Sequence, residues 1–328
     1  MSIPPPPFAV DAQPMLQATV PNSRAIGALW SRIIAFVIDG ILIGLLGTAL
    51  AIPFFSILSR LGAWGLLVGF CIALPYFATL NSSIGNGQTL GKRWMRLQVV
   101  DAGGNTISIG KSLLRSTVFA IPYYLNGIPL PITRTPAVIT TIIGLTVVVV
   151  GGATLYMVLF SRHTRQGLHD SAAGSYVGVA GQTGPLRILP IWKVHWLILG
   201  SLLVIFGVAS QILLKKLTTW GPFPQLLDDV RLVEGVNGVQ RAGAQDLRSG
   251  FGGTEKKTTL VISVFWSGNS GEEEAFADRI GKMILQQDLT ARVRDSIRVV
   301  VVRGYDIGIA HARVTHAFEH TPAEWSAR

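Results

Sequence analysis

Ser31–Phe55 reads SRIIAFVIDGILIGLLGTALAIPFF, and this stretch decides the class of protein. From Ile33 to Phe55 it is apolar except at Asp39, with Pro53 near the far end. A helix needs about 20 mostly apolar residues to cross the hydrocarbon core of a bilayer, so Ile33–Phe55 predicts a transmembrane span. A carboxylate near the middle of such a helix is costly unless it is paired, protonated or hydrated. Arg32 precedes Asp39 on the same helix face, but about 10 Å away along the axis. That is too far for a tight ion pair, so Arg32 is expected to snorkel to the headgroup level and Asp39 to find a partner elsewhere. Gly40, Gly44 and Gly47 follow, small enough to let a neighbouring helix approach closely. Asp39 has two readings from sequence: a polar clasp between helices, or a group that binds a cation or relays a proton.

The rest of the chain fits a membrane protein. It has 328 residues, 49% of them hydrophobic and only 14% charged, with a mean hydropathy of +0.46. Residues 1–214 carry 13 basic residues but only four acids (Asp11, Asp39, Asp101 and Asp170); the other fourteen acids follow in 215–328. That shift predicts a membrane part followed by a polar domain. Further spans are expected at Gly62–Leu80, Val138–Phe160 and Trp196–Leu214. Ser116–Thr133, with Pro122, Pro129 and Pro131, is of marginal length and reads either as a fifth span or as a re-entrant segment.

Loop charge favours five spans. Gly85–Arg115 contains Lys92, Arg93, Arg96, Lys111 and Arg115 against one acid, and a second basic loop holds Arg162, Arg165, Arg187 and Lys193. Basic loops are retained in the cytoplasm. If Ser116–Thr133 crosses, both loops and the N-terminus are cytoplasmic and the C-terminal domain is extracytoplasmic. Lys215 and Lys216 argue mildly against this. The net charge of +10 is thus explained by loops rather than by nucleic acid. Lys92, Arg93 and Arg96 are candidates for contact with anionic lipid headgroups. The opening MSIPPPPFAVDAQP has no signal-peptide order and predicts a flexible Pro-rich tail. Cys71 is the only cysteine, so no internal disulfide is possible.

Outside the spans, Met95, Leu97 and Val99 alternate with Arg96 and Gln98, a strand period. Asp101–Asn105 supplies a turn and Thr106–Ile109 a return strand, so a small cytoplasmic β-hairpin is expected. After Trp220, Leu260–Trp266, Ile297–Val302 and Arg313–Phe318 read as strands. Gly271–Gln287 reads as a helix, with Glu272, Glu273 and Glu274 in its first turn and Phe276, Ile280, Met283 and Ile284 on one face. The glycine-rich 235–257 reads as a long loop. The expectation is an α+β domain with an antiparallel sheet.

Three motifs resemble a known family. Ser31–Asp39 is similar to the opening motif of the RDD family of bacterial membrane proteins: Arg32 at the start of the first helix and Asp39 in its middle. Gly87-Gln-Thr-Leu-Gly-Lys-Arg93, then Gln98–Asp101 and Gly104, resemble the family loop, and Arg115 the basic residue after it. Gly167-Leu-His-Asp170, then Ala173, Gly174 and Val177, resemble the closing motif. Arg32, Asp39 and Asp170 are the name-giving residues, and the resemblance covers about 24–179. It implies a domain in the bacterial inner membrane proposed to transport ligands, in some relatives by exchanging monovalent cations for protons. Arg32, Arg115, His169 and Asp170 all fall near span ends on one predicted side. Asp170 is placed to pair with Arg32 or Arg115, and His169 to titrate near neutral pH.

Other chemistry is weakly signalled. Gly87–Lys92 has three residues between its glycines and Arg93 after the lysine, unlike a phosphate loop. His316 and His320 share a strand face about 13 Å apart while His311 points the other way, so no metal site is expected. No cofactor and no catalytic set is expected, and the chain is read as a non-enzyme. The resulting organisation is an α-helical membrane bundle of about five helices with a soluble C-terminal α+β domain. Residues 1–24 are a tail, 25–180 the RDD-like membrane domain, 181–193 a linker, 194–214 a further span and 215–328 the α+β domain. Function is read as transport of a small ligand or cation/proton exchange at Asp39. The alternative is a scaffold that anchors the C-terminal domain to a partner complex. A homo-oligomer or a membrane complex fits either.

Overall fold

A computed structural model describes residues 24–126, 128, 135–186, 188, 192–217, 219, 223–249, 257–288 and 290–328. The expected Pro-rich tail lies outside these residues apart from Arg24. The N-terminal half is helical. The first helix, α1 (Leu29–Ala51), stops before the expected Phe55, because Pro53 sits in a 3-10 turn, Ile52–Phe54, and cannot continue the helical hydrogen bonding. After it come α2 (Phe55–Leu61) and α3 (Gly65–Leu80). Next are the short α4 (Leu90–Trp94), strand β1 (Leu97–Val100) and α5 (Ile109–Asn126).

The Val138–Phe160 span is α6 (Ala137–Thr146) and α7 (Gly152–Phe160), joined by a π-helical turn, Val147–Gly151. That turn meets the other irregular helix: a Cβ on Gly151 would stand 3.4 Å from Pro122 Cβ of α5. Then come α8 (Leu168–Ala172), β2 (Tyr176–Val179) and α9 (Lys193–Leu217). Among the described residues, three stretches are long and apolar enough to cross a membrane: Leu29–Leu80, Val138–Phe160 and Lys193–Leu213. The Ser116–Thr133 expectation is shifted. Its helix, α5, begins at Ile109 and ends at Asn126, and residues 127 and 129–133 lie outside the described residues.

The expected hairpin is corrected. Asp101–Asn105 does turn, with Asp101 N donating to Asn105 O at 2.8 Å. Thr106–Ser108 form no strand, because Ile109 opens α5 and Ser108 O accepts from Ser112 N at 2.9 Å. Strand β1 pairs instead with β2, antiparallel, with Leu97 opposite Val179 and Val100 opposite Tyr176. Two distant family motifs are thereby joined in one ladder, with Leu97, Val99, Ile107, Val177 and Ala35 packed beneath it.

The C-terminal half comprises α10 (Phe223–Glu234), β3 (Val239–Ser249), β4 (Lys257–Trp266), α11 (Glu273–Gln287), β5 (Ser296–Asp306), β6 (His311–His320) and α12 (Pro322–Ala327). Two expectations fail here. Much of the supposed loop 235–257 is the strand β3, paired antiparallel with β4 along its length. The sheet, ordered β3-β4-β5-β6, is mixed rather than antiparallel: α11 makes a crossover, so β4 and β5 run parallel. Its core joins Leu260, Ile262, Val264, Ile297, Val299 and Val301 to Phe276, Ile280 and Ile284 of α11. Trp325 of α12 closes it, with Nε1 donating to Ile297 O at 2.9 Å.

Candidate functional site

The two acids of the family-like motifs stand at the same end of the helices, each in its own set of hydrogen bonds. Asp39 lies on the buried stripe of α1, with Ala35, Ile43, Gly47 and Ala51, and is 1% exposed. Three donors converge on its carboxylate. Tyr76 Oη of α3 donates to Oδ1 at 2.8 Å, Gly91 N to Oδ1 at 2.8 Å, and Thr89 Oγ1 to Oδ2 at 2.5 Å. Thr89 is also the N-cap of α4, accepting from Lys92 N at 3.3 Å. The first turn of α4 is thus seated on the α1 carboxylate. Gly91 is required there, because a Cβ would overlap the Ala35 carbonyl. This resolves the search for Asp39's partner: it is hydrogen-bonded by hydroxyls and an amide, not by a cation.

Arg32 corrects another expectation. It does not snorkel outward. Its Nη1 donates to Arg165 O at 2.5 Å and its Nη2 to Val177 O at 2.8 Å. The guanidinium therefore ties α1 to the loop before α8 and to β2.

Asp170 pairs with Arg115, with Nε to Oδ1 at 2.7 Å and both side chains buried. Gly167 N and Ser175 Oγ add bonds at 3.2 and 3.4 Å, and His169 Nε2 stands 3.5 Å from Oδ2. Burial alone would raise the Asp170 pKa, but Arg115, His169 and Arg32 outweigh it and hold the carboxyl below the usual range. Burial pushes His169 down to about 4, so the ring is neutral at pH 7 rather than titrating there. Its ring stands edge-on to Phe119 at 5.1 Å.

Lys92 belongs to this region rather than to the surface. Its Nζ donates to Asn81 Oδ1 at 2.8 Å. Burial, then the nearby Arg115, pushes the ammonium down to about 7, while Asp39 opposes the shift. Arg93 and Arg96 are exposed, beside Trp94 at 77% exposure. Several polar atoms here are buried without a hydrogen-bond partner among the described residues: Arg32 Nε, Ser112 Oγ, Ser116 Oγ, Thr154 Oγ1, His169 Nδ1 and Ser171 Oγ. Ser112, Arg115, Ser116 and Phe119 share one face of α5 by their spacing. Sequence reasoning missed Tyr76, Thr89 and Asn81. Thr89 carried the only signal, lying between the loop glycines Gly87 and Gly91. No group of three or more His, Cys, Asp or Glu suited to a metal ion occurs among the described residues, and His311, His316 and His320 lie along β6 in the other half.

No curated protein and no solved structure gives a significant match. Residues 26–174 match the model of the RDD family. The match takes in Arg32 and Asp39, the seated α4 loop, Arg115 and Asp170. The protein is a membrane protein whose residues 26–174 form an RDD-family domain, followed by a further C-terminal region.

Proposed function

We propose that the membrane domain is a non-catalytic transport module for a small ligand or for monovalent cation/proton exchange, working through the polar network around Asp39 and Asp170. The observation that carries this is the grouping of buried charge with buried unpartnered polar atoms inside an apolar helical bundle. Ionisable groups inside a membrane domain are expensive and mark routes for ions or ligands, and a fixed structural network leaves few polar atoms unsatisfied. Exchange at Asp39 requires α4 to shift, because both carboxylate oxygens are engaged by donors, two of them from Thr89 and Gly91.

The test is flux into proteoliposomes holding the full chain, with sodium, potassium and pH gradients read by fluorescent dyes. Wild-type protein is expected to move a monovalent cation against protons. Asp39→Asn and Asp170→Asn are expected to abolish the movement. Flux that persists in Asp39→Asn sinks the ion-site role. The scaffold reading, a membrane anchor for the C-terminal region in a homo-oligomer or partner complex, is favoured by one observation: Asp39 is saturated by protein donors, as a clasp would be. Absence of flux for every monovalent cation, with a fixed copurifying partner, selects it.

A further inference from the structure

The turn between β5 and β6 reaches out of its sheet and into the helices. Its residues Tyr305, Ile307 and Ala310 are buried in a cluster with Ala51 and Leu58, and Phe55, Leu61, Val68 and Ile309 pack around them. Gly308 holds the turn at φ 79°, and Ile307 N donates to Ala310 O at 3.0 Å across it. The helices have made room. A Cβ on Gly47 of α1 would stand 2.9 Å from Ile309 Cδ1. One on Gly65 of α3 would stand 2.8 Å from Asp306 O, and one on Gly69 would overlap the Ile307 carbonyl. From α5, Tyr123 Oη donates to Gly308 O at 2.5 Å, and a Cβ on Gly308 would stand 2.7 Å from the Tyr124 ring. Two contacts beside the turn reinforce it: Phe55 and Tyr305 rings edge to face at 5.7 Å, and Gln240 Nε2 donating to Ser59 O at 2.8 Å.

The place of this contact matters. On α1, Asp39, Ile43 and Gly47 follow one another on the buried stripe; on α3, Gly69, Ala73 and Tyr76 are spaced to share a face. Asp39 and Tyr76 close the seam between the two helices at one level. Gly47 lies about 12 Å further along α1, where Ile307 and Ile309 fill the seam. Small residues between membrane helices ordinarily let the helices touch each other. Here the glycines admit a turn from the C-terminal sheet instead.

We propose that the β5–β6 turn, Asp306–Ala310, is a wedge that holds α1 and α3 apart and closes their seam, so that docking of the C-terminal sheet controls access to Asp39 from the end opposite Arg32. The proposal takes from the transport reading only the importance of Asp39. The test reads access without flux. In a Cys71→Ser background, Ala73→Cys places a thiol on α3 between the wedge and Tyr76. The full chain in nanodiscs is treated with a charged, membrane-impermeant maleimide. Ile309→Asp is expected to speed labelling at least about tenfold, and the milder Tyr123→Phe by a smaller factor. Only monodisperse protein is scored; if Ile309→Asp does not give it, Ile309→Ala takes its place under the same criterion. Equal labelling rates with and without these changes overturn the wedge. Changed labelling without flux in wild type keeps the wedge and removes the transport reading; flux with unchanged labelling does the reverse.

Discussion

At the scale of single residues, the buried carboxylates make separate and opposite demands. Asp170 is charged and matched by Arg115, and removing one partner of a buried pair strands the other. Arg115→Ala is expected to destabilise the helical half by about 3–5 kcal/mol, read as a lower midpoint in SDS-induced unfolding from mixed micelles. Asp39 depends on its shape as an acceptor. Asp39→Asn keeps one carbonyl oxygen for the converging donors, while Asp39→Ala leaves Tyr76, Thr89 and Gly91 without any. Each buried donor left unmatched costs about 1–3 kcal/mol, so Ala is expected to lower the same midpoint more than Asn. Equal losses would show that shape is not what Asp39 supplies.

Asp229 in the C-terminal half is 2% exposed. Burial, with Asp288 and Asp246 nearby, pushes its carboxyl up to about 7. The folded protein therefore keeps a proton that the unfolded chain releases near pH 4. Stability from this group is complete below that value and is lost as pH rises through about 7. Thermal melting followed by tryptophan fluorescence, with Trp266 and Trp325 in this core, is expected to fall between about pH 4 and pH 7 and to level off above that. Asp229→Asn is expected to flatten that part of the fall; a curve as steep as wild type refutes the assignment.

At the scale of elements, the short α4 does more than its length suggests. It joins α1 through Asp39 and Gly91, and α3 through Tyr76 Oη, which accepts from Leu90 N at 3.3 Å. Gly91→Val places side-chain atoms where the Ala35 carbonyl lies and pushes the helix off its seat. Its effect is expected to duplicate that of Asp39→Ala, so the double variant should unfold at nearly the midpoint of either single one. Independent sites would add. The apolar helices were legible in the sequence because burial in lipid demands uninterrupted apolar runs, and α11 because its apolar face repeats at the helical period. The pairing of β1 was not legible. Alternation marks a strand but not its partner, and Thr106–Ile109 was nearer along the chain than Tyr176–Val179. Strand β3 was hidden for a related reason. Its exposed residues Arg241, Gln245 and Arg248 lie on an edge strand of the sheet, so few positions need to be apolar. Of the site, Arg115 with Asp170 was foreseeable from charge and span ends; Tyr76 and Asn81 were not, because a hydroxyl or an amide in an apolar run has no spacing rule to betray it.

At the scale of the whole molecule, the helices alternate between two ends. Arg32, α4, the β1–β2 ladder and α8 mark one end; the β5–β6 turn, Tyr123 and the start of α3 mark the other. The first end carries exposed Arg93 and Arg96 with Lys111 and Arg162, the excess that retains a loop in the cytoplasm. Helix α5 carries Arg115 toward that end and Tyr123 toward the other, and reading it as a crossing, with Pro122 inside it, gives the five-helix topology. With α5 read as a crossing and α9 returning the chain, the C-terminal sheet is expected on the opposite side of the membrane from the N-terminus. A reporter fused after Arg328 of the full chain decides this in a bacterial host. Alkaline phosphatase is expected to be active there and green fluorescent protein dark, with the reverse for fusions placed before Met1. Removing α5 as a crossing inverts both C-terminal results, so a fluorescent C-terminal fusion would leave the wedge acting from the cytoplasmic side and overturn the five-helix topology.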